Sequence, residues 1–529
     1  MARLELTGRP AAPGVAVGPL VRLDPQNVAA RAAGTPSEEC VALAAAIAAA
    51  IAEIARLAEQ AGGDAAEILE FQIAMLEDPA LCEPAQDAIA LGTSADAAWG
   101  ETLAGQVAEY ETADEAYFRA RGADLRDLRA RVLRHLAGDP GATAPPAGAI
   151  LLADDLTPSR FLETDWSRGG GIALLAGSRA SHVAMLARAR GIPMVVDLVA
   201  VTTDGHAEAA LDGAAGTLWL SPDADDRARL AESGHVAAAG AARAAHLLHR
   251  LAFTAGGQRI AVMVNVADPA ELDGLDPALC DGIGLTRTEL LFSATGGLPD
   301  EERQYAAYRR IVEWAGGRPV TIRTLDAGGD KPIAGLTMPG ESNPFLGLRG
   351  VRLSLARPDV FAVQLRALAR AATHGDLKMM LPMVTVPDEL EAARALLDTA
   401  LADLAARGVP ARRPALGMMV EVPAAALAIE RFDAAFFSIG SNDLTQYVTA
   451  SARDIGSVAA LADVRNPGVL RLIAEVAAHG RRIGREVSLC GDAAGDPALV
   501  PALLDAGLEC LSMAPNAVAG AKAAIASYG

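Results

Sequence analysis

The sequence predicts a multidomain α/β protein. A (β/α)8 TIM barrel fills the C-terminal half, and ahead of it stands a smaller α/β domain interrupted by an all-helical insertion. Three observations carry this. From Arg259 onward, apolar strand candidates alternate with helical stretches eight times in about 270 residues, the count and size of such a barrel. Residues 1–23 and 147–220 show short strand patterns punctuated by Gly and Pro. Between them, residues 36–136 read as helix almost throughout.

The elements follow in order. Ala12 to Arg22 alternates apolar positions between glycines and prolines, the mark of short strands. Thr35-Pro36-Ser37-Glu38-Glu39 is a helix start, and apolar residues at helical spacing follow it. Gly141 to Pro146 is rich in Pro, Gly and Ala and reads as a linker. Strand candidates then come at Ala149–Ala153, Gly171–Ala176, Met194–Val196 and Gly216–Leu220, with a helix from Ser181. One more helix, Ala/Arg-rich, covers 223–252. The barrel strands are expected at Ile260–Val266, Gly282–Leu285, Val320–Leu325, Lys378–Val384, Leu416–Val422, Ala435–Ile439, Val487–Leu489 and Cys510–Met513. The expected domains are 1–23 with 142–222 (α/β), 24–141 (helical), 223–255 (linker) and 256–529 (barrel).

Composition narrows the function. With 51% hydrophobic residues the chain has material for real cores, and a formal net charge of −20 disfavours nucleic acid and anionic membranes as partners. Between Ala32 and Phe118 stand 17 acidic residues and one basic residue, Arg56, a net −16 that suits a basic protein partner. The five cysteines, Cys40, Cys82, Cys280, Cys490 and Cys510, have no zinc-like spacing and point to a reducing compartment. The N-terminus lacks the apolar region of a signal peptide, and the longest apolar run, Val41 to Ala52, is too short to span a bilayer. A cytoplasmic protein is expected.

In a barrel of this kind the residues just after each strand converge on one face. Here those points carry Arg287, Arg323, Lys331, Arg349 and Arg453, with Glu421, Asn442, Asp443 and Cys490. Guanidinium forks match phosphate and carboxylate oxygens. Glu421 and Asp443 are a hard oxygen pair suited to Mg2+. Cations with Mg2+ imply a small, highly anionic substrate bearing phosphate and carboxylate. A second site lies in the α/β domain, from Gly177 through Ser181 and His182 to Gly191. There a strand runs into a small-residue turn and a histidine opens a helix. Neutral imidazole is a competent nucleophile toward phosphorus, and a helix N-terminus favours the arriving charge.

These residues resemble the phosphoenolpyruvate-protein phosphotransferase family, Enzyme I of the sugar phosphotransferase system. The likeness runs from Ala12–Gly18 through Met75–Asp78, Ala123–Asp127, Asp155–Ser159 and the His182 motif. In the barrel it continues through Gly284–Glu289, Arg323–Lys331, Asn343–Arg349, Glu421–Ala425, Gly440–Tyr447, Cys490-Gly491 and Ser512-Met513. The resemblance implies that His182 takes the phosphoryl group on the ring nitrogen farther from the backbone. It implies that Arg287, Arg323, Arg453 and Asn442 hold phosphoenolpyruvate, and that Glu421 and Asp443 bind Mg2+. Cys490 would protonate the enolate carbon, with Lys331 and Arg349 around the phosphate. The α/β domain would be the swivelling phosphohistidine domain, the acidic helical block the docking surface for the carrier HPr, and the barrel the homodimer contact. Residues 223–255 would act as the hinge.

The chain departs from the family pattern at three places. Ala180 replaces a threonine before Ser181-His182, Arg160-Phe161 replace Glu-Thr, and Asp492 replaces glutamate. Two hydroxyls near the histidine are thereby missing. These changes leave a second expectation open, a regulatory paralogue that binds phosphoenolpyruvate or a carrier without efficient transfer. A dikinase-type enzyme needs a nucleotide-binding domain for which no residues remain. The chain ends at Gly529, so a short last barrel helix is expected. Residue 1 opens on the histidine domain without a preceding sensor domain, which favours the sugar branch over the nitrogen-regulatory one.

Overall fold

The computed structural model describes residues 3–23, 33–61, 63–112, 116–138, 145–177, 181–199, 205–293, 298–329, 333, 335–337, 341–452, 458 and 461–529. The chain divides into two compact units, Met1–Ala238 and Ala239–Gly529.

The first unit is built on one mixed sheet. Its strands are β1 (Leu4–Thr7), β2 (Arg9–Ala12), β3 (Val15–Arg22), β4 (Ile150–Ala153), β5 (Gly171–Leu174), β6 (Met194–Val196), β7 (Glu208–Asp212) and β8 (Thr217–Leu220). They lie in the order β1-β8-β7-β3-β4-β5-β6-β2. β3 runs parallel to β4, pairing Leu20 with Ile150 across more than a hundred residues of intervening chain. That intervening chain is mostly helix: Pro36–Ala61, Gly63–Glu77, Pro79–Ala90, Ala95–Thr112 and Ala116–Leu136. Their apolar stripes meet in a separate core around Leu43, Ile54, Leu69, Ile89, Trp99, Leu103 and Leu128. Alanine makes Pro36–Ala58 long and apolar enough to cross a membrane, more than the 12-residue run alone implies. In this fold the helix turns Leu43, Ala50 and Ile54 into the bundle core. It also carries Glu53, which pairs with Arg131 at 2.6 Å and with His135 at 2.8 Å.

A polar seam joins this bundle to the sheet. Ser159 Oγ donates to Asp127. Buried Arg131 reaches Glu163 at 2.7 Å, and Arg126 reaches Asp155 at 3.2 Å. Burial alone would raise the Glu53 carboxyl, but the guanidiniums of Arg131 and Arg134 and the ring of His135 hold it below the usual range.

The second unit is the barrel. A two-residue strand, β9 (Ala252–Phe253), pairs antiparallel with β10 (Arg259–Val266). The remaining staves are β11 (Ile283–Thr286), β12 (Val320–Arg323), β13 (Leu377–Leu381), β14 (Ala415–Val420), β15 (Phe437–Gly440), β16 (Val487–Cys490) and β17 (Cys510–Met513). Each runs parallel to the next, and β10 pairs with both β11 and β17, closing the ring. The strands are almost wholly buried, as expected where helices cover the outside and side chains fill the inside. Leu285, Met380, Met419, Phe436 and Cys490 pack together inside. The last helix spans Val518–Ala526.

That last helix holds one of the three lysines. Lys522 is 4% exposed. Its ammonium donates to the carbonyls of Leu248, Arg250 and Leu279 at 2.6, 2.7 and 2.8 Å. Burial lowers its pKa, and the carbonyl cage compensates the lost water. Lys522→Met keeps the stem and strands three acceptors. We expect it to cost the barrel about 3 kcal/mol or more, read as a lower denaturant midpoint of the barrel transition.

Candidate active site

At the barrel's C-terminal mouth several strand ends deliver polar groups. Arg323 closes β12 and turns inward. Its Nη2 donates to Glu289 at 3.1 Å and its Nη1 pairs with Asp326 at 3.0 Å. Arg349 completes a charge chain across the mouth. Its Nη2 reaches Asp326 at 2.9 Å and Asp443 at 3.1 Å, its Nε reaches Asp326 at 3.2 Å, and its Nη1 donates to the Tyr447 hydroxyl at 3.3 Å. The carboxylates, Asp326 and Asp443 above all beside Arg349, hold both guanidiniums charged against burial. Arg287 follows β11 and is exposed. No ion pair engages it among the described residues.

Glu421 follows β14 and is buried. Its Oε1 accepts from the Met383 amide at 2.7 Å. Met383 adopts φ 60°, a left-handed conformation that a non-glycine residue avoids unless something holds it there. Gly440 opposite is required: a Cβ there would stand 2.7 Å from Glu421 Oε2. Burial pushes the Glu421 carboxyl well above the usual range, and the nearby charges of Asp443 and Asp326 add to it.

A cation set against Glu421 and Asp443 would relieve that charge excess, so these residues fit a divalent ion. Among the described residues no group of three or more His, Cys, Asp or Glu side chains is arranged to hold a metal alone. Two carboxylates completed by substrate oxygens and water are the usual Mg2+ arrangement.

Asn442, half-buried, exchanges hydrogen bonds with Asp492: its Nδ2 donates to the carboxylate at 3.2 Å and its Oδ1 accepts from the amide at 3.2 Å. Cys490 ends β16 with its Sγ accepting from Ser438 Oγ at 3.6 Å. Burial raises the thiol's pKa, against the smaller pull of Ser438 and of the Arg323 and Arg287 charges. Three buried polar atoms close to these groups in the chain, Arg323 Nε, Thr286 Oγ1 and Thr324 Oγ1, have no hydrogen-bond partner among the described residues. Donors left unused beside buried guanidiniums match an anion that brings its own oxygens.

The structure thus gathers Arg323, Arg349, Glu421, Asn442, Asp443 and Cys490 at one mouth, with Arg287 at its edge. Lys331 and Arg453 lie outside the described residues. Glu289, Asp326, Met383 and Tyr447 were not singled out as site residues. Glu289, Asp326 and Tyr447 stand inside the strand-end motifs, where a charge partner for each arginine could have been sought. Nothing in the sequence marks Met383.

In the first unit His182 is the first residue of the helix His182–Arg190. Its side chain lies outside the described residues, as does Ala180. Ser181 caps the helix by accepting from the Ala184 amide at 3.2 Å, and Gly191 ends it at φ 66°. Phe161, where the family pattern has threonine, is fully buried. It stacks on Trp166 at 5.3 Å, lies 5.6 Å from the Arg190 guanidinium, and packs in the core with Val183, Ala184 and Ala187 of the histidine helix. The added bulk is absorbed under that helix.

Family models match along most of the chain. Residues 7–121 match the N-terminal domain of phosphoenolpyruvate-utilising enzymes, 145–216 their mobile domain, and 241–529 their phosphoenolpyruvate-binding domain. A phosphoenolpyruvate-protein phosphotransferase of Geobacillus stearothermophilus is 37% identical, over 98% of this chain and 92% of its own length. One from Haloferax volcanii is 39% identical over 89% of this chain and 83% of its own length. A solution structure of an Enzyme I protein is 27% identical, covers 44% of this chain and 98% of its own, and superposes with a TM-score of 0.37.

Proposed function

The chain belongs to the phosphoenolpyruvate-protein phosphotransferase family of phosphoenolpyruvate-utilising enzymes, and on that premise we propose that it moves the phosphoryl group of phosphoenolpyruvate to His182 and from there to a histidine of an HPr-type carrier, the first step of a sugar phosphotransferase system. The carrying observation is the barrel mouth, where buried guanidiniums, with polar atoms unpartnered among the described residues, stand beside Glu421, Asp443 and the buried Cys490 thiol.

Arg287, Arg323, Arg453 and Asn442 bind phosphoenolpyruvate, with Lys331 and Arg349 in support. Glu421 and Asp443 hold Mg2+, which when bound screens the negative charge of the substrate. The bond between phosphorus and the enol oxygen breaks as His182 Nε2 forms a bond to phosphorus. The released enolate takes a proton at carbon from Cys490 and leaves as pyruvate. The nitrogen–phosphorus bond then breaks as the carrier's imidazole attacks. Because His182 and the barrel mouth stand in separate units, turnover requires the phosphate site to be met by a mobile histidine. The exposed carboxylates Glu77, Asp78, Glu83, Asp87 and Glu101 on the helical bundle support an electrostatically steered basic carrier. On the same reading the enzyme is a cytoplasmic homodimer joined through the barrel.

The test is incubation with labelled phosphoenolpyruvate and Mg2+, followed by detection that preserves acid-labile phosphate, with His182→Ala beside the unaltered protein. We expect label on the unaltered chain and none on the variant. Binding of phosphoenolpyruvate without label would replace this reading with a binding-only paralogue, in which Ala180 has disabled transfer.

A further inference from the structure

Behind β12, on the side away from the barrel interior, runs a chain of buried uncharged polar side chains. Gln364 is its centre, on the helix Pro358–Ala371. Its Oε1 accepts from the backbone amide of Leu325 at 3.1 Å. Its Nε2 donates to the Tyr308 hydroxyl at 3.0 Å and approaches Thr288 Oγ1 at 3.5 Å. Thr288 in turn donates to the carbonyl of Arg323 at 3.1 Å. At the other end Tyr308 donates to Gln304 Oε1 at 3.1 Å, and Gln304 Nε2 donates to the carbonyl of Pro299 at 3.0 Å.

All four side chains are buried. Apolar residues would fill this layer at lower desolvation cost, because a buried amide or hydroxyl is tolerated only when paired. None of the four leaves a buried side-chain atom unpaired. A network satisfied to this degree favours one geometry over its neighbours. The geometry it fixes is the turn Arg323-Thr324-Leu325: Gln364 grips the amide after the turn directly, and the carbonyl before it through Thr288. Glu289 holds the same turn as well, accepting from the Asp326 amide at 3.0 Å and from the Arg323 guanidinium at 3.1 Å.

We propose that Gln364, braced by Tyr308 and Gln304, is a positioning residue that sets the height and direction of Arg323 at the barrel mouth, and so governs affinity for the phosphorylated substrate without touching it. The inference rests on the phosphoenolpyruvate reading given above. A displacement of about 1 Å in a binding group is worth up to about a hundredfold in rate, so the relay has leverage out of proportion to its distance from the chemistry.

The experiment compares Gln364→Leu with Leu368→Ala, a truncation of a fully buried apolar residue one turn along the same helix. For each, the KM for phosphoenolpyruvate, kcat and the thermal midpoint are measured on the full chain. Gln364→Leu is expected to raise KM about tenfold or more. Leu368→Ala is expected to lose as much or more stability with KM within about twofold. Tyr308→Phe, which leaves Gln364 one acceptor short, should fall between. If Gln364→Leu lowers the thermal midpoint but leaves KM unchanged, or if Leu368→Ala raises KM equally, the relay is only packing and the proposal fails. Should Gln364→Leu not fold, Tyr308→Phe decides by the same criterion. An unaltered enzyme that does not turn over phosphoenolpyruvate overturns the functional reading first, and this one with it.

Discussion

An Arg349→Met enzyme is expected to lose about 3–5 kcal/mol of barrel stability, and most of its affinity for phosphoenolpyruvate. Arg349 is 2% exposed. It pairs two carboxylates at once, Asp326 and Asp443, and lies 5.9 Å from the ring of Phe345. Methionine can fill the volume of the stem. It cannot neutralise Asp326, which is fully buried, or the charges of Asp443 and Asp326 that add to burial in driving the Glu421 carboxyl upward. Breaking a buried pair by removing one partner costs far more than a pair is worth in isolation, because the remaining charge stays desolvated. Arg349→Lys is the informative companion. It restores charge but not the planar fork that spans Asp326 and Asp443, and should recover only part of both properties. Denaturant melts of the barrel transition and substrate titrations check the two effects separately. An Arg349→Met protein as stable as the parent would mean that the carboxylates relax into water and that the charge chain carries no weight.

The barrel was legible in the sequence for a physical reason. Parallel strands buried on both faces read as continuous apolar runs, and all eight stand within a few residues of the expected places. The errors lie at strand ends. Val320–Leu325 was expected where β12 stops at Arg323, because Leu325 leaves the ladder to pack with Phe292, Ala327 and Leu353 in a small outlying cluster. Lys378–Val384 was expected where β13 stops at Leu381, because Met383 takes its left-handed turn to reach Glu421. In the first unit β7 (EAALD) was missed: alanine carries little strand signal, yet the segment is buried between β3 and β8. The helix Pro158–Glu163 and the two-residue β9 were missed as well, both too short to show a period. The placement of Arg287, Arg323, Arg349, Glu421 and Asp443 at one end of the barrel was readable because they follow its strands and the loops between them. Their mutual pairing was not, because which carboxylate meets Arg323 or Arg349 depends on loops folding back over the mouth. The Gln364 relay is invisible for the same reason, since its members are separated by up to 76 residues and joined only in the packed layer.

Replacing Cys490 with alanine should slow pyruvate formation by about 10^2–10^4-fold, the usual worth of a positioned proton donor, while leaving phosphoryl transfer to His182 detectable in a single turnover. The two outcomes separate because breaking the phosphorus–oxygen bond and protonating the carbon are different events. The thiol's environment favours the donor role. Buried and apolar on most sides, Cys490 holds its proton to higher pH than an ordinary thiol. A thiol whose pKa is raised stays protonated through pH 9.0, its unperturbed value. Turnover attributable to it should therefore hold across that value and fall only at higher pH, whereas a thiol acting as thiolate would gain rate over the same interval. Ser438, whose hydroxyl points at the sulfur, pulls the pKa the other way, so Ser438→Ala should move the alkaline limb further up. Cys510 supplies the internal control. It is also buried with its pKa pushed up, but it opens β17 and so stands at the opposite end of the barrel. Cys510→Ala removes an equivalent volume and an equivalent thiol, and should leave pyruvate formation unchanged. Equal losses in the two variants would show that what matters is packing, and the proton would then have to come from solvent or from another group at the mouth.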